Sequence, residues 1–258
     1  MHILNLIKIT AAMGFLALLT VGSVHAKDGP PPIPEVKPET TTITGVARNP
    51  NDNVVQDRTK LFNVQAQQGG FDVMFLGDSI THCWETFNPQ NGAKVWEEKI
   101  APFGAVNFGI GGEMIENLLW RLENGNLNGA LDPKAVVLLI GTNNAFRDKP
   151  EEIAAGIGAI LTRIHHRLPE AKILLYGIFP RAHPGGEAAH ETSQEANKIL
   201  AKYDGHWNIK YIDLTDKLVK PDGGLIDGVS WDGLHLTSKG YEIWADSLVP
   251  ELQAILKN

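Results

Sequence analysis

Ser79 lies in the run Gly77-Asp78-Ser79-Ile80-Thr81, with His82, the chain's one cysteine (Cys83) and Glu85 close behind it. A serine hydroxyl is hardly ionised near neutral pH and attacks a carbonyl only when a base takes its proton. The nine histidines therefore decide whether Ser79 can do chemistry. His2 and His25 fall in an apolar N-terminal segment. His165 and His166 come late in a helical pattern, where a solvated cation complements the helix dipole. His183 and His190 flank PGGEAA, which reads as an exposed loop, and His206 precedes a turn. His235 differs, because the stretch WDGLHL puts Asp232 three residues ahead of it. A carboxylate at that spacing accepts from one imidazole nitrogen and leaves the other free to take a proton from serine. Taken alone, the same pair also serves as an ordinary cap on a turn.

For these residues to meet, the chain must bring distant segments to one edge. Val54 to Gln68 reads as a helix closed by Gly69 and Gly70. Beyond it, apolar runs of strand length (DVMFLG, AVNFGI, AVVLLIG, KILLYGIF, IKYIDL) alternate with helical patterns (AKVWEEKI, MIENLLWRLENG, the Pro150 to Pro169 segment, SQEANKILAKY) and end in a helix capped by Thr237. Five such strands separated by helices specify an α/β protein with a buried parallel sheet. In that architecture ligands sit beyond the carboxyl ends of the strands, where loops run into helix N-termini. The first three strands deliver GDSIT, GIGGE and GTNN to that edge. Each loop alone passes for a turn, but three together compose a site.

GDSIT, NFGIGGE, GTNN and DGLHLT resemble, in order, the four sequence blocks of the GDSL lipase/esterase superfamily, also called SGNH hydrolases. The chain is most similar to the branch containing the catalytic alpha subunits of platelet-activating-factor acetylhydrolase, through GGE followed by LLWRLENG, VVLLIGTNN and HLTSKGY, over most of residues 71 to 256. The resemblance implies a single three-layer α/β/α, flavodoxin-like domain with strand order 2-1-3-4-5. It also implies that Ser79 is the nucleophile, His235 the base and Asp232 its orienting carboxylate. The oxyanion hole would come from the backbone N–H groups of Ser79 and Gly112 and the side-chain amide of Asn143. Glu113 stands where the family commonly has Asp, and Asn144 where many members have Asp. No cofactor or metal is implied, and since related subunits dimerise, a homodimer is compatible with the resemblance.

Composition bounds the partners. Of 258 residues, 43% are hydrophobic and 21% charged, enough for one sizeable core, and the net charge of −7 without clustered Lys and Arg argues against nucleic acid. Residues 1–26 read as a signal peptide: a lysine, an apolar stretch from Ile9 to Val21 shorter than the roughly 20 residues that span a bilayer, and Val24 and Ala26 before the cleavage point. Residues 27–44, rich in Pro and Thr, read as an extended solvated tether. Residues 45–258 form the hydrolase domain, with a helical extension at 45–70 and a catalytic core at 71–256. The expected product of export is a periplasmic or secreted protein with no stable membrane insertion. Cys83, unable to pair within the chain, reads as a small buried residue.

Rival chemistries leave gaps. An α/β-hydrolase elbow needs a second glycine where Thr81 stands, and a dinucleotide loop needs one where Met114 stands. Helical His-x-x-x-His spacing for a metal is missing. A non-catalytic carbohydrate-binding protein on the same fold would lack site residues that are here intact. The expected function is hydrolysis of short-chain esters, with O-deacetylation of a carbohydrate as the leading use and a lipid acetylhydrolase as the alternative. Trp84 and Trp231 either line the cleft and stack on a sugar or pack in the core, and Arg181 either contacts substrate or is a solvated loop residue.

Overall fold

Five short apolar runs pair side by side in the computed structural model, which describes residues 29–49, 52–85, 91–182 and 184–257. They are β1 (Val73–Gly77), β2 (Ala105–Gly109), β3 (Ala135–Leu139), β4 (Lys172–Tyr176) and β5 (Ile209–Ile212), parallel throughout and ordered β2-β1-β3-β4-β5. The proposed signal peptide lies outside the described residues.

Because β1 and β3 are buried along their whole length, alternate side chains feed two cores. Met74, Leu76, Val136 and Leu138 face α1 (Asn53–Gln68), α4 (Ile115–Arg121), α5 (Pro150–Arg167) and α6 (Glu187–Leu200). Val73, Phe75, Val137 and Leu139 face the final helix α8 (Ser238–Leu256) and the helical turns between β1 and β2. Those turns are α2 (Ser79–His82), α3 (Ala93–Val95) and a π-helical continuation at Trp96–Ile100; a short α7 (Thr215–Leu218) follows β5.

Helix ends follow the local chemistry. Asp52 caps α1 by accepting from the Val55 N–H, and the Thr237 side chain accepts from Gly240 N–H at the start of α8. Gly125, at φ +135°, ends the helical run that α4 begins, so MIENLLWRLENG closes on a kink. The helix expected from Ser193 begins six residues earlier, at Glu187. His190 therefore sits inside α6 and its Nδ1 accepts from Arg181 N–H, rather than in an exposed loop.

The segment read as a solvated tether is irregular but docked. Thr42 is buried within a 3-10 turn at Thr41–Ile43, and Ile33 packs against the core. Two glycines of α5 make room for it: a Cβ on Gly156 would lie 2.4 Å from Thr42 Cγ2, and one on Gly158 2.7 Å from Ile33. His165 also departs from the expected solvated cation, since its ring stacks on Trp207 at 4.6 Å and burial holds its pKa below the ordinary value.

Candidate active site

Register brings the three loops level: Gly77, the last residue of β1, pairs with Gly109 of β2 on one side and Leu139 of β3 on the other. Close contact there demands glycine. A Cβ on Gly109 would stand 2.4 Å from the His82 nitrogen, and one on Gly77 2.2 Å from Thr81 Oγ1. The chain leaves β1 through Asp78, whose carboxylate accepts from Ile80 N–H and starts α2 with Ser79 as its first residue. Burial pushes the Asp78 carboxyl up to about 7, against the bond from Ile80 and the attraction of Arg181.

Ser79 meets its base across 156 residues of chain: Ser79 Oγ lies 2.9 Å from His235 Nε2. His235 Nδ1 lies 2.6 Å from Asp232 Oδ2, while Asp232 Oδ1 accepts from the N–H groups of Leu234 and His235. Burial raises the Asp232 carboxyl, but these three bonds outweigh it and hold the group below the usual carboxylate range. The turn is tied down at both ends. Ser230 Oγ and Trp231 N–H donate to the His235 carbonyl, and Ala182 N–H, beyond β4, donates to Gly233 O.

Gly111 also neighbours Ser79: an added Cβ would stand at ordinary contact distance, 3.9 Å from Ser79 Cβ and 3.7 Å from His82 Nδ1. Gly111 N–H donates to His82 Nδ1 at 3.1 Å, and Gly111 O accepts from Arg48 Nη1. His82 is buried, and burial together with Arg58 pushes its pKa down to about 3, so the ring is a neutral acceptor near neutral pH. Gly112 follows at φ +72°. Among the described residues, no backbone carbonyl accepts from the N–H of Ser79 or of Gly112. Asn143 Nδ2 donates to Glu113 O at 2.8 Å, which uses one amide hydrogen and ties the β3 loop to the β2 loop.

Beneath this loop the Glu113 carboxylate accepts from Arg121 Nε at 3.0 and 2.9 Å, and both side chains are almost wholly enclosed. Arg121 Nη1 donates to Asn126 Oδ1 and Nη2 to Phe108 O. Asn144 joins the same brace: its Oδ1 accepts from Ile115 N–H at the start of α4, and its Nδ2 donates to Glu116 and Asp148. The two residues that depart from the commoner family pattern thus pin the loops rather than face the cleft.

Two of the expected substrate contacts belong elsewhere. Trp84 has no exposed surface and packs between Tyr241 and Trp244, ring centroids 4.5 and 5.0 Å away, because α8 covers that face of the sheet. Arg181 is buried too; its Nη2 donates to Thr142 O and Thr142 Oγ1, and its guanidinium lies 4.5 Å over the Phe146 ring. It thereby holds the β3 loop. Trp231 is 48% exposed and stacks on His235, ring centroids 5.4 Å apart, so it stands at the mouth of the site.

Burial pushes the Cys83 thiol up to about 11, which keeps it protonated near neutral pH. Glu85 pairs with Arg58 of α1 at 3.2 Å. Among the described residues, no group of three His, Cys, Asp or Glu side chains is placed to hold a metal, and no helix is long and apolar enough to cross a membrane. The braces His82 and Arg48 were not legible in the sequence: one sits too near Ser79 to seem necessary, and the other enters from the N-terminal extension.

The family model described as GDSL-like lipase/acylhydrolase matches residues 75–243. The human platelet-activating factor acetylhydrolase IB subunit alpha2 is 34% identical over 170 residues, 66% of this chain and 71% of that one. Among solved structures, a GDSL-like lipase from Bacteroides thetaiotaomicron superposes with a TM-score of 0.60 at 20% identity, covering 77% of this chain and 97% of that one. An acetylxylan esterase from Geobacillus stearothermophilus superposes with a TM-score of 0.52 at 20% identity, covering 71% and 94%. At those identities the two structures speak for the fold alone.

Proposed function

The chain belongs to the GDSL-like lipase/acylhydrolase family, and on that premise we propose that it is an exported serine esterase that hydrolyses short-chain carboxylic esters through an acyl-enzyme on Ser79. The observation that carries the reading is the unbroken line of hydrogen bonds from Ser79 Oγ through His235 to Asp232.

His235 Nε2 takes the Ser79 proton as Oγ attacks the ester carbonyl, and Asp232 holds the ring in the tautomer that leaves Nε2 free to accept. Charge develops on the carbonyl oxygen, and the N–H groups of Ser79 and Gly112 and the second amide hydrogen of Asn143 would be its donors. The tetrahedral adduct collapses when His235 returns the proton to the departing alkoxide, leaving Ser79 acylated. A water molecule then gives one proton to His235 as it attacks the acyl carbon, and His235 passes that proton to Ser79 Oγ as the bond to serine breaks and the acid leaves.

For the substrate we propose an O-acetyl group carried on a carbohydrate. The exposed Trp231 ring beside His235 offers a face on which a sugar can stack, which favours this reading over an ester of a simple alcohol. The apolar stretch from Ile9 to Val21, followed by Val24 and Ala26 before the cleavage point, supports export, where glycans are encountered. A second reading, cleavage of an acetyl group from a lipid, draws on the 34% identity to the acetylhydrolase subunit. A screen of acetylated xylan, acetylated sialosides, pectin and simple acetates against esters of increasing chain length separates them. Release of acetate from a glycan is expected; preference for long-chain or phospholipid esters would overturn the carbohydrate reading, and saturable glycan binding without acyl release would overturn catalysis.

A further inference from the structure

We infer that Arg48 is a positioning residue for the oxyanion hole, acting through the peptide group that joins Gly111 to Gly112. The inference rests on the esterase reading and adds to it a part that lies outside the residues matched by the family, which begin at 75.

Arg48 Nη1 donates to the Gly111 carbonyl oxygen. That oxygen and the Gly112 N–H belong to one peptide group. The bond is trans, as are all described peptide bonds, so the two groups point in opposite directions across a rigid plane. Fixing the carbonyl at one end fixes the direction of the N–H at the other. A full positive charge on the carbonyl also polarises the peptide, so that its N–H becomes a stronger donor. On the preceding residue, Gly111 N–H is held by His82 Nδ1, so both peptide groups of Gly111 have a partner. Glycine at 111 and at 112, the latter at φ +72°, would otherwise leave this loop among the least constrained parts of the edge.

Arg48 itself is held in place. Its second nitrogen, Nη2, lies 3.5 Å from Asp52 Oδ2, and the side chain is 24% exposed. The segment that delivers it is bonded to α4 in both directions: Val46 N–H donates to Glu116 O, and Asn117 Nδ2 donates to Val46 O. Gly45 allows that approach, since a Cβ there would lie 3.0 Å from Trp120 Cα. Farther back, Thr42 Oγ1 donates to Asp148 Oδ2, the carboxylate that also receives Asn144. The N-terminal extension therefore works as a strap whose tip reaches the oxyanion loop. In a chain without it, Gly111 O would face water, which solvates a carbonyl but does not aim it.

The test uses the full chain and a chromogenic acetate, with wild type, Arg48→Ala, Arg48→Lys and Ser79→Ala assayed together. Deleting a direct oxyanion donor costs about 10²–10³ in kcat, so loosening one donor is expected to cost about 10-fold to 100-fold. Arg48→Ala should lower kcat by that factor with KM within about twofold of wild type. Added guanidinium ion should restore part of the loss in Arg48→Ala and none in Ser79→Ala, a response that a purely structural role would not produce. Arg48→Lys keeps a cation on the strap and should fall between the two, and it carries the test should Arg48→Ala fail to fold. Unchanged kcat in a folded Arg48 variant, or an equal loss in Arg48→Ala and Arg48→Lys with no rescue, would overturn the inference while leaving the esterase reading intact. Ser79→Ala as active as wild type would overturn the esterase reading instead.

Discussion

On one side of Ser79, the turn from Ser230 to His235 carries most of its own supports: Asp232 takes three bonds from Leu234 and His235, and Ser230 and Trp231 bond the His235 carbonyl. On the other side, the Gly111–Glu113 loop is held by His82, Arg48 and Asn143, which lie 29, 63 and 30 residues away from their partners. The base is specified by a short stretch of sequence, whereas the oxyanion side is assembled from several elements. A local device survives changes elsewhere in the fold; a composite one depends on buried groups far from the cleft.

That contrast can be broken or sharpened by mutation. The largest effect is expected at the local device, where Asp232→Asn leaves the geometry but removes the carboxylate that sets the His235 tautomer, and kcat should fall by about 10⁴ with little change in melting temperature. Steady-state kinetics together with thermal melts check it, and a loss under tenfold would remove Asp232 from the relay.

Next comes the foundation of the composite side. Arg121→Met strands the Glu113 carboxylate in a buried site, and urea unfolding should show a loss of about 3–5 kcal/mol. Were stability to stay within about 1 kcal/mol, the loop would not depend on that pair. Asn143→Ala removes one donor and the link to Glu113 O, so a kcat lower by about 10²–10³ is expected. If only KM moved, Asn143 would serve binding rather than the transition state.

A pH-dependent effect concerns Asp78, the residue before the nucleophile. Its folded-state pKa of about 7 lies above the ordinary carboxylate value of 3.8, so the folded state binds more protons between those values. Stability contributed by this group is full below about 4 and lost as pH rises through about 7. Asp78→Asn should flatten that part of a stability profile measured by urea unfolding at a series of pH values; an unchanged slope would mean that Asp78 is ionised throughout.

The same distinction governs what the sequence discloses. Strands of four or five mostly apolar residues and the spacing of Asp232 and His235 are local patterns, and both are legible. Strand order followed only from the family resemblance. Trp84 was not assignable, since one aromatic in a short helical turn faces the core or the cleft depending on where α8 lies. Proline-rich residues before Thr42 read as solvated because the grooves that receive them are made by Gly156 and Gly158, two glycines more than 100 residues onward. Arg48 escaped for the same reason: no periodicity links it to Gly111.

The central claim is that Ser79 becomes acylated, and covalent labelling addresses it most directly. Wild-type protein treated with a fluorophosphonate should gain the mass of one phosphonyl group, on the peptide that contains Ser79, and lose its esterase activity in parallel. Ser79→Ala should take up no label and should retain no more than about 10⁻⁴ of the wild-type kcat. Stoichiometric labelling at another residue, or full ester hydrolysis by Ser79→Ala, would contradict the account.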